Sequence, residues 1–457
     1  MSAPRTLAAT ARYLGRGECE ALARRVLGFS AADETRVTVN SGNTGNTRFA
    51  VNQISTGGDS YNATVGVRVV VGRKVATAAT NRLDDESLRR TVDTAIRIAK
   101  LTPDDPELLP ELGPQQYQES REWFDSTASL DPAGRATAVR TISDPARAAG
   151  LTSTGFLESR AGSQCIASSR GLFAWTRQSQ LSFTTTVRTP DGTGSGWAGT
   201  DEHDWARVDP AALGARAIDK ARRSMNPVAI EPGRYTVILE PTAVANLVQT
   251  LGNAMNARNA DEGRSFFSKQ GGGNKIGMKV VDERVTLVSD PSDPECPGDT
   301  FGGDGLPTGR TTWIENGVVK NLAYDRFWAQ RQGKAPSSTA GTLRMRGGDA
   351  SLDDLIRSTE RGILVTRFWY IRPVDQRTIL YTGLTRDGTF LIENGRVARP
   401  IKNFRYNESP VFMLNNLEML GRPVRVSATE SGGPGTAIIV PPIKVRDFSF
   451  TSLSDAV

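Results

Sequence analysis

The pattern of this chain changes once, across Asn226-Pro227 to Gly233, and that change most constrains what it can fold into. Upstream, helical periodicities alternate with β-patterned stretches. Downstream, one apolar helix is followed by strands and tight turns. A chain of 457 residues is long enough for more than one core. The reading is therefore an α+β protein of two domains. Residues 1–225 form an α/β domain with antiparallel strands and flanking helices. Residues 226–457 form a mostly antiparallel β, barrel-like domain. Glycine and proline are spread along the chain, which points to turn-rich structure instead of disorder.

In the first domain, Leu22, Ala23, Val26 and Leu27 place a helix over 11–28. Val37-Thr-Val-Asn40 alternates as a strand, and Ser41-Gly-Asn-Thr-Gly-Asn46 reads as a loop. Val65–Val71 turns at Gly72-Arg73 into Val75–Ala79, a hairpin. Asp84 or Asp85 caps a helix marked by Leu88, Val92, Ala95, Ile96 and Ala99, because a carboxylate accepts from the free N–H groups of the first turn. Asp131-Pro132 and Asp209-Pro210 start two further helices, since proline at the first helical position forfeits no hydrogen bond. Gln178–Arg188 reads as a strand.

In the second domain, Tyr235–Leu239 is a strand and Pro241 opens a helix striped by Val244, Leu247, Val248, Leu251 and Met255. Strands are expected at Lys279–Val281 and Val285–Val288, then a hairpin over Thr311–Lys320. Its Asn316-Gly317 suits a type I′ turn, which needs positive φ at both central residues. The same Ile-Glu-Asn-Gly recurs at Ile392–Gly395, and Asp387-Gly388 marks another tight turn. Asp353–Gly362 reads as a short helix stopped by its glycine. Gly271–Gly277 is a connector whose spacing fits neither a dinucleotide fingerprint nor a phosphate loop. Asp299–Gly309 is an irregular loop beside a groove, without calcium-loop spacing.

Composition excludes more than it proposes. No run nears the roughly 18 apolar residues of a membrane span, and the N-terminus lacks a secretory core. Cys19, Cys165 and Cys296 offer neither a disulfide framework nor a Cys-x-x-Cys pair, so a cytoplasmic, reduced protein is expected. The net charge of +6 is dispersed, and no basic-aromatic pattern calls for nucleic acid. Only one histidine is present, His203. A Ser-His-Asp triad or a metal cluster must be built around it. Its neighbours Asp201, Glu202 and Asp204 are adjacent in sequence and therefore splay apart, so Thr200–Trp205 reads as a polar lead-in to a helix. Asp191-Gly-Thr-Gly is superficially similar to an aspartic-protease tripeptide, but no second copy supplies the partner carboxylate.

Several stretches in order carry a resemblance. They are Gly66–Asn81, Ser169-Arg-Gly-Leu-Phe-Ala-Trp175, Gly192–Gly199, Glu315-Asn-Gly317, Arg361-Gly-Ile363, and Glu393–Val397 with Pro400-Ile-Lys402. Together they resemble the TldD/PmbA family, the so-called modulators of DNA gyrase. Active members of that family carry His-Glu-x-x-x-His on a helix of the second domain, with a C-terminal cysteine as a further zinc ligand. Anchored on Ser265–Ser268, the motif slot falls on Val248-Gln-Thr-Leu-Gly-Asn253. Val248 and Asn253 stand at the histidines and Gln249 at the glutamate, while Val426–Gly433 at the cysteine slot has no cysteine. Valine offers no donor, an amide is a weak zinc ligand, and glutamine has no titratable proton for general-base work.

The resemblance implies the zinc-lacking, TldE-like subunit of a heterodimeric metallopeptidase. No catalytic or metal-binding residue is then expected here, and zinc is expected in a TldD-like partner. Gln249, Asn253 and Asp299 are the candidates to line the substrate groove. The implied substrate is an extended peptide: an unfolded chain, or the leader of a ribosomally made peptide. Two alternatives stand beside it. One is an independent enzyme using metal-free chemistry in the same cleft. The other is a regulatory binding protein for DNA gyrase.

Overall fold

Alternation over unusually long stretches builds the first layer of the computed structural model, which describes residues 12–337, 341–428 and 437–454. Its strands are β1 (Glu34–Ala50), β2 (Gln53–Val71), β3 (Lys74–Thr80), β4 (Thr152–Ser168), β5 (Phe173–Arg188) and β6 (Ser195–Glu202). They form one antiparallel sheet in the order β3-β2-β1-β4-β5-β6. Its helices are α1 (Arg16–Gly28), α2 (Asp85–Leu101), the single turn α3 (Asp125–Ala128), α4 (Pro132–Ala148) and α5 (Pro210–Arg223). Asp84, Asp131 and Asp209 each cap the following helix with a side-chain oxygen.

A period of two puts one set of side chains under the helices. Val37 and Val39 of β1 pack beneath α1 and α2. Phe49, farther along the same face, packs beneath α4 and α5. The opposite face carries Asn40, Thr64 and Gln164 side by side, and its Ile166 and Ala174 pack against Phe301.

The expected loop at Ser41–Asn46 is instead the middle of β1, paired on both sides. The glycines there serve close approach, not turning. A Cβ on Gly42 would meet the Ala161 carbonyl oxygen at 2.6 Å.

The second half contributes β7 (Arg234–Leu239), β8 (Leu287–Ser289), β9 (Thr311–Glu315), β10 (Val318–Val319), β11 (Leu343–Met345), β12 (Arg361–Val365) and β13 (Phe368–Asp375). They are followed by β14 (Leu380–Thr385), β15 (Thr389–Glu393), β16 (Arg396–Pro400), β17 (Asn403–Glu408), β18 (Leu417–Leu420), β19 (Val424–Ser427), β20 (Ala437–Val440) and β21 (Ile443–Ser454). One sheet runs β10-β9-β8-β11-β20-β19, the other β13-β14-β17-β21-β7-β12-β15-β16 with β18 on β21. Both are mostly antiparallel and run from edge to edge, so the described strands make two open sheets and no closed barrel. The helix α6 (Pro241–Asn253) packs with residues of both: Val237, Leu239, Ile363 and Val365 from one, Leu287, Met345, Ile438 and Val440 from the other.

Asn316-Gly317 and Asn394-Gly395 turn with positive φ at both residues, as their sequences require. Lys279–Val281 is not a strand; Lys279 makes a single bridge to Val318. The strand expected at Val285–Val288 starts only at Leu287. The short helix runs Leu352–Arg357 and does not reach Gly362, which lies inside β12. A Cβ on Gly362 would come within 2.8 Å of the Thr236 carbonyl oxygen, so glycine is placed there by strand packing. Ion pairs Glu107–Arg258 and Lys220–Glu240, each at 2.6 Å, tie the two halves together.

A candidate substrate cavity at the end of helix α6

Pro241 sits in the first turn of α6, and the apolar stripe behind it drives the helix into the core. Val248 is completely buried in that stripe. Gln249 and Asn253, four residues apart, share another side of the helix. They line a cavity of about 190 Å³ with Gly252, Met255, Ser289, Trp313, Thr342 and Leu343. Residues five apart diverge by about 140° on a straight helix, so Val248 and Asn253 do not converge. The structure brings Gln249 and Asn253 together and leaves Val248 to the core.

The described lining mixes polar and apolar groups and carries no formal charge. Ser289 Oγ donates to the Thr342 carbonyl oxygen at 2.6 Å and accepts from Trp313 Nε1 at 2.8 Å. Among the described residues, neither the Gln249 nor the Asn253 side chain has a protein hydrogen-bond partner. Both amides are thus available to pair with a ligand's backbone, each offering a donor and an acceptor. Asn246, one turn earlier, donates from Nδ2 to the Ala428 carbonyl oxygen at 2.9 Å and anchors the chain leaving β19. That segment opens the cysteine slot; its residues 429–433 lie outside the described ones.

Among the described residues, no carboxylate, thiolate or imidazole lines the cavity. Zinc favours those ligand types, so these residues do not fit a zinc site. Among the described residues no group of three His, Cys, Asp or Glu side chains stands close enough to hold a metal.

Asp299 is not part of this lining, but it borders it. Its Oδ2 lies 3.0 Å from where a Cβ on Gly341 would sit, and Gly341 is a wall of the cavity. Loss of solvent around the carboxylate raises its pKa. Its negative charge in turn acts on Glu122, whose pKa is pushed up to about 8, first by burial and then by Asp299. Nothing in Ser120-Arg-Glu-Trp123 signals this residue, because the segment has no periodicity and lies between elements.

His203 is more than a polar lead-in. It is buried at the end of β6, with Nδ1 2.7 Å from the Ser179 carbonyl oxygen and Nε2 3.9 Å from Glu122. Burial, reinforced by the Arg425 charge, pushes its pKa down to about 4. The imidazole is therefore neutral at physiological pH and ties β6 to β5.

Three family models match in chain order: PmbA/TldA metallopeptidase domain 1 over residues 36–99, the central domain over 118–225 and the C-terminal domain over 232–452. The chain belongs to the TldD/PmbA family. It is a homologue of the TldD/TldE-type metalloproteases.

A metalloprotease of Methanothermobacter thermautotrophicus is 25% identical over 263 residues, covering 53% of this chain and 55% of that protein. A zinc metalloprotease TldD homologue of Saccharolobus solfataricus is 23% identical over 243 residues, covering 47% and 51%. The chain thus spans about half the length of these curated relatives. The crystal structure of TldE from Thermococcus kodakarensis superposes with a TM-score of 0.82 at 19% identity, covering 95% of this chain and 99% of that one. That likeness shows a shared fold. Among the described residues no helix is long and apolar enough to cross a membrane.

Proposed function

We propose that this chain is the zinc-free subunit of a heterodimeric TldD/TldE-type metallopeptidase, working beside a TldD-like partner that carries the zinc in the cytoplasm. The observation that carries this reading is α6. It presents Val248 to the core and Gln249 and Asn253 to a neutral cavity, where the family's active motif would place two imidazoles and a carboxylate. The scaffold is retained, and the described lining holds no side chain of the kinds zinc favours. That lining suits holding a peptide backbone: two amides with no partner among the described residues, beside apolar walls. An extended peptide, either an unfolded chain or a leader segment, is the substrate this lining fits.

Co-expression with a relative bearing the intact zinc motif tests the proposal. The two chains should co-purify, and peptide cleavage by the pair should fall when Gln249 and Asn253 are both replaced by alanine. A relative that never associates with this chain and cleaves equally well alone would sink it.

A second reading has one observation in its favour. Asp299 borders the cavity through Gly341, and it and Glu122 are both shifted upward; mutually interacting carboxyls can divide acid and base roles. Under that reading the purified chain hydrolyses peptides in excess chelator, and Asp299→Asn abolishes the turnover.

A further inference from the structure

A second, larger cleft opens where the first sheet meets β13 and β14. Its volume is about 640 Å³, and it shares no lining residue with the α6 cavity. Arg48 and Arg188 enter from the sheet, Arg367 and Arg386 from the second half, and among the described residues Asp387 is the only acid in the wall. That acid is already engaged. Ser195 Oγ donates to its Oδ1 at 2.6 Å and Arg367 to its Oδ2 at 3.0 Å. Arg386 Nε stands 4.0 Å from Oδ2, beyond hydrogen-bond reach. Four guanidinium groups therefore face one carboxylate.

Two of these groups sit over indoles. Arg367 lies 4.3 Å over the Trp197 ring and Arg386 lies 4.1 Å over Trp369. A guanidinium over an aromatic face is restrained there by the ring and donates from its edge, as Arg367 does to Asp387. Burial lowers the Arg386 pKa; the Asp387 charge opposes this and the Arg188 charge adds to it. The adjoining backbone is irregular too: Tyr370 adopts φ 55 beside a break in the β13–β14 register. Non-glycine residues hold that conformation only at a cost, and such sites cluster at ligand clamps.

We propose that this cleft is an oxyanion-binding site that seats a carboxylate or phosphate group on the forked N–H donors of Arg386, with Arg48 and Arg188 completing the cationic wall. Planar bidentate pairing explains why guanidinium groups, and not lysines, form it. The site does not depend on the peptide reading. A peptide's free carboxylate and a free phosphate ion present the same chemistry.

Calorimetry on the full chain at low salt distinguishes the sources. The probes are inorganic phosphate, a short peptide with a free C-terminal carboxylate, and the same peptide as its C-terminal amide. Arg386→Gln should weaken oxyanion binding at least about ten-fold, the loss of one charge-assisted hydrogen bond. Arg386→Lys should recover part of it, and Arg310→Gln, an exposed site outside the cleft, should leave it unchanged. Discrimination between acid and amide assigns the site to a peptide carboxylate. Phosphate binding without that discrimination assigns it to a free anion. No binding of any probe, or binding that Arg386→Gln leaves intact, overturns the proposal. Neither result bears on pairing with a zinc-bearing relative.

Discussion

The two clefts of this chain are made of opposite materials. Among the described residues, the α6 cavity is walled by amides, hydroxyls, an indole and aliphatic groups, with no formal charge. The β13–β14 cleft concentrates four arginines around one buried aspartate. In the first, the helix belongs to the core and only its last turn faces the cavity. In the second, the charges also join the two halves, because Asp387 is gripped by Ser195 from one and Arg367 from the other. Charge clusters in the cleft between the halves, and among the described residues none lines the α6 cavity.

That contrast can be broken most forcefully at Asp387. Asp387→Asn strands the buried Arg367 guanidinium without its acid, and breaking such a pair costs about 3–5 kcal/mol. Urea denaturation should show that loss. A change below about 1 kcal/mol would mean the charges are not structural. The α6 cavity should divide sharply by face. Leu247→Ala, inside the core, should cost about 3 kcal/mol, whereas Gln249→Ala should stay within about 0.5 kcal/mol while weakening peptide binding.

A smaller effect lies in two buried titratable groups, Glu122 and His203. Glu122 is raised from 4.5 to about 8. The folded state therefore keeps a proton that the unfolded state releases, and its contribution is full below pH 4.5 and lost as pH rises to 8. His203 is lowered from 6.5 to about 4, so its contribution is present above 6.5 and lost as pH falls toward 4. The two oppose each other between about pH 4.5 and 6.5 and leave Glu122 alone above that. Thermal unfolding of the native chain should weaken from pH 6.5 to 8 relative to Glu122→Gln, by on the order of 1 kcal/mol per pH unit. Parallel profiles for the two proteins would contradict this. Smallest of all, Arg48→Gln should leave the melting temperature unchanged, since Arg48 is exposed, and lower only oxyanion affinity.

Much of the fold was legible because it rests on local chemistry. The Asp-Pro helix starts, the Asn-Gly hairpins and the α6 stripe all follow from rules acting over a few residues. What failed depended on distant strands. Ser41–Asn46 looks like a turn until Gly162 is placed across from Gly42, and Gly362 looks like a helix stop until β7 lies beside it. The site divided in the same way. Spacing alone puts Gln249 and Asn253 on one face of the helix. Glu122 comes from an irregular segment, and the Arg48, Arg188, Arg367 and Arg386 cluster comes from four separate places in the sequence. No motif encodes either.

The most direct measurement is the zinc content of the purified chain, followed by calorimetric titration with zinc after dialysis against chelator. The neutral α6 cavity predicts zinc well below one ion per chain and no saturable high-affinity uptake. One tightly held zinc per chain, released by Asn253→Ala, would contradict it.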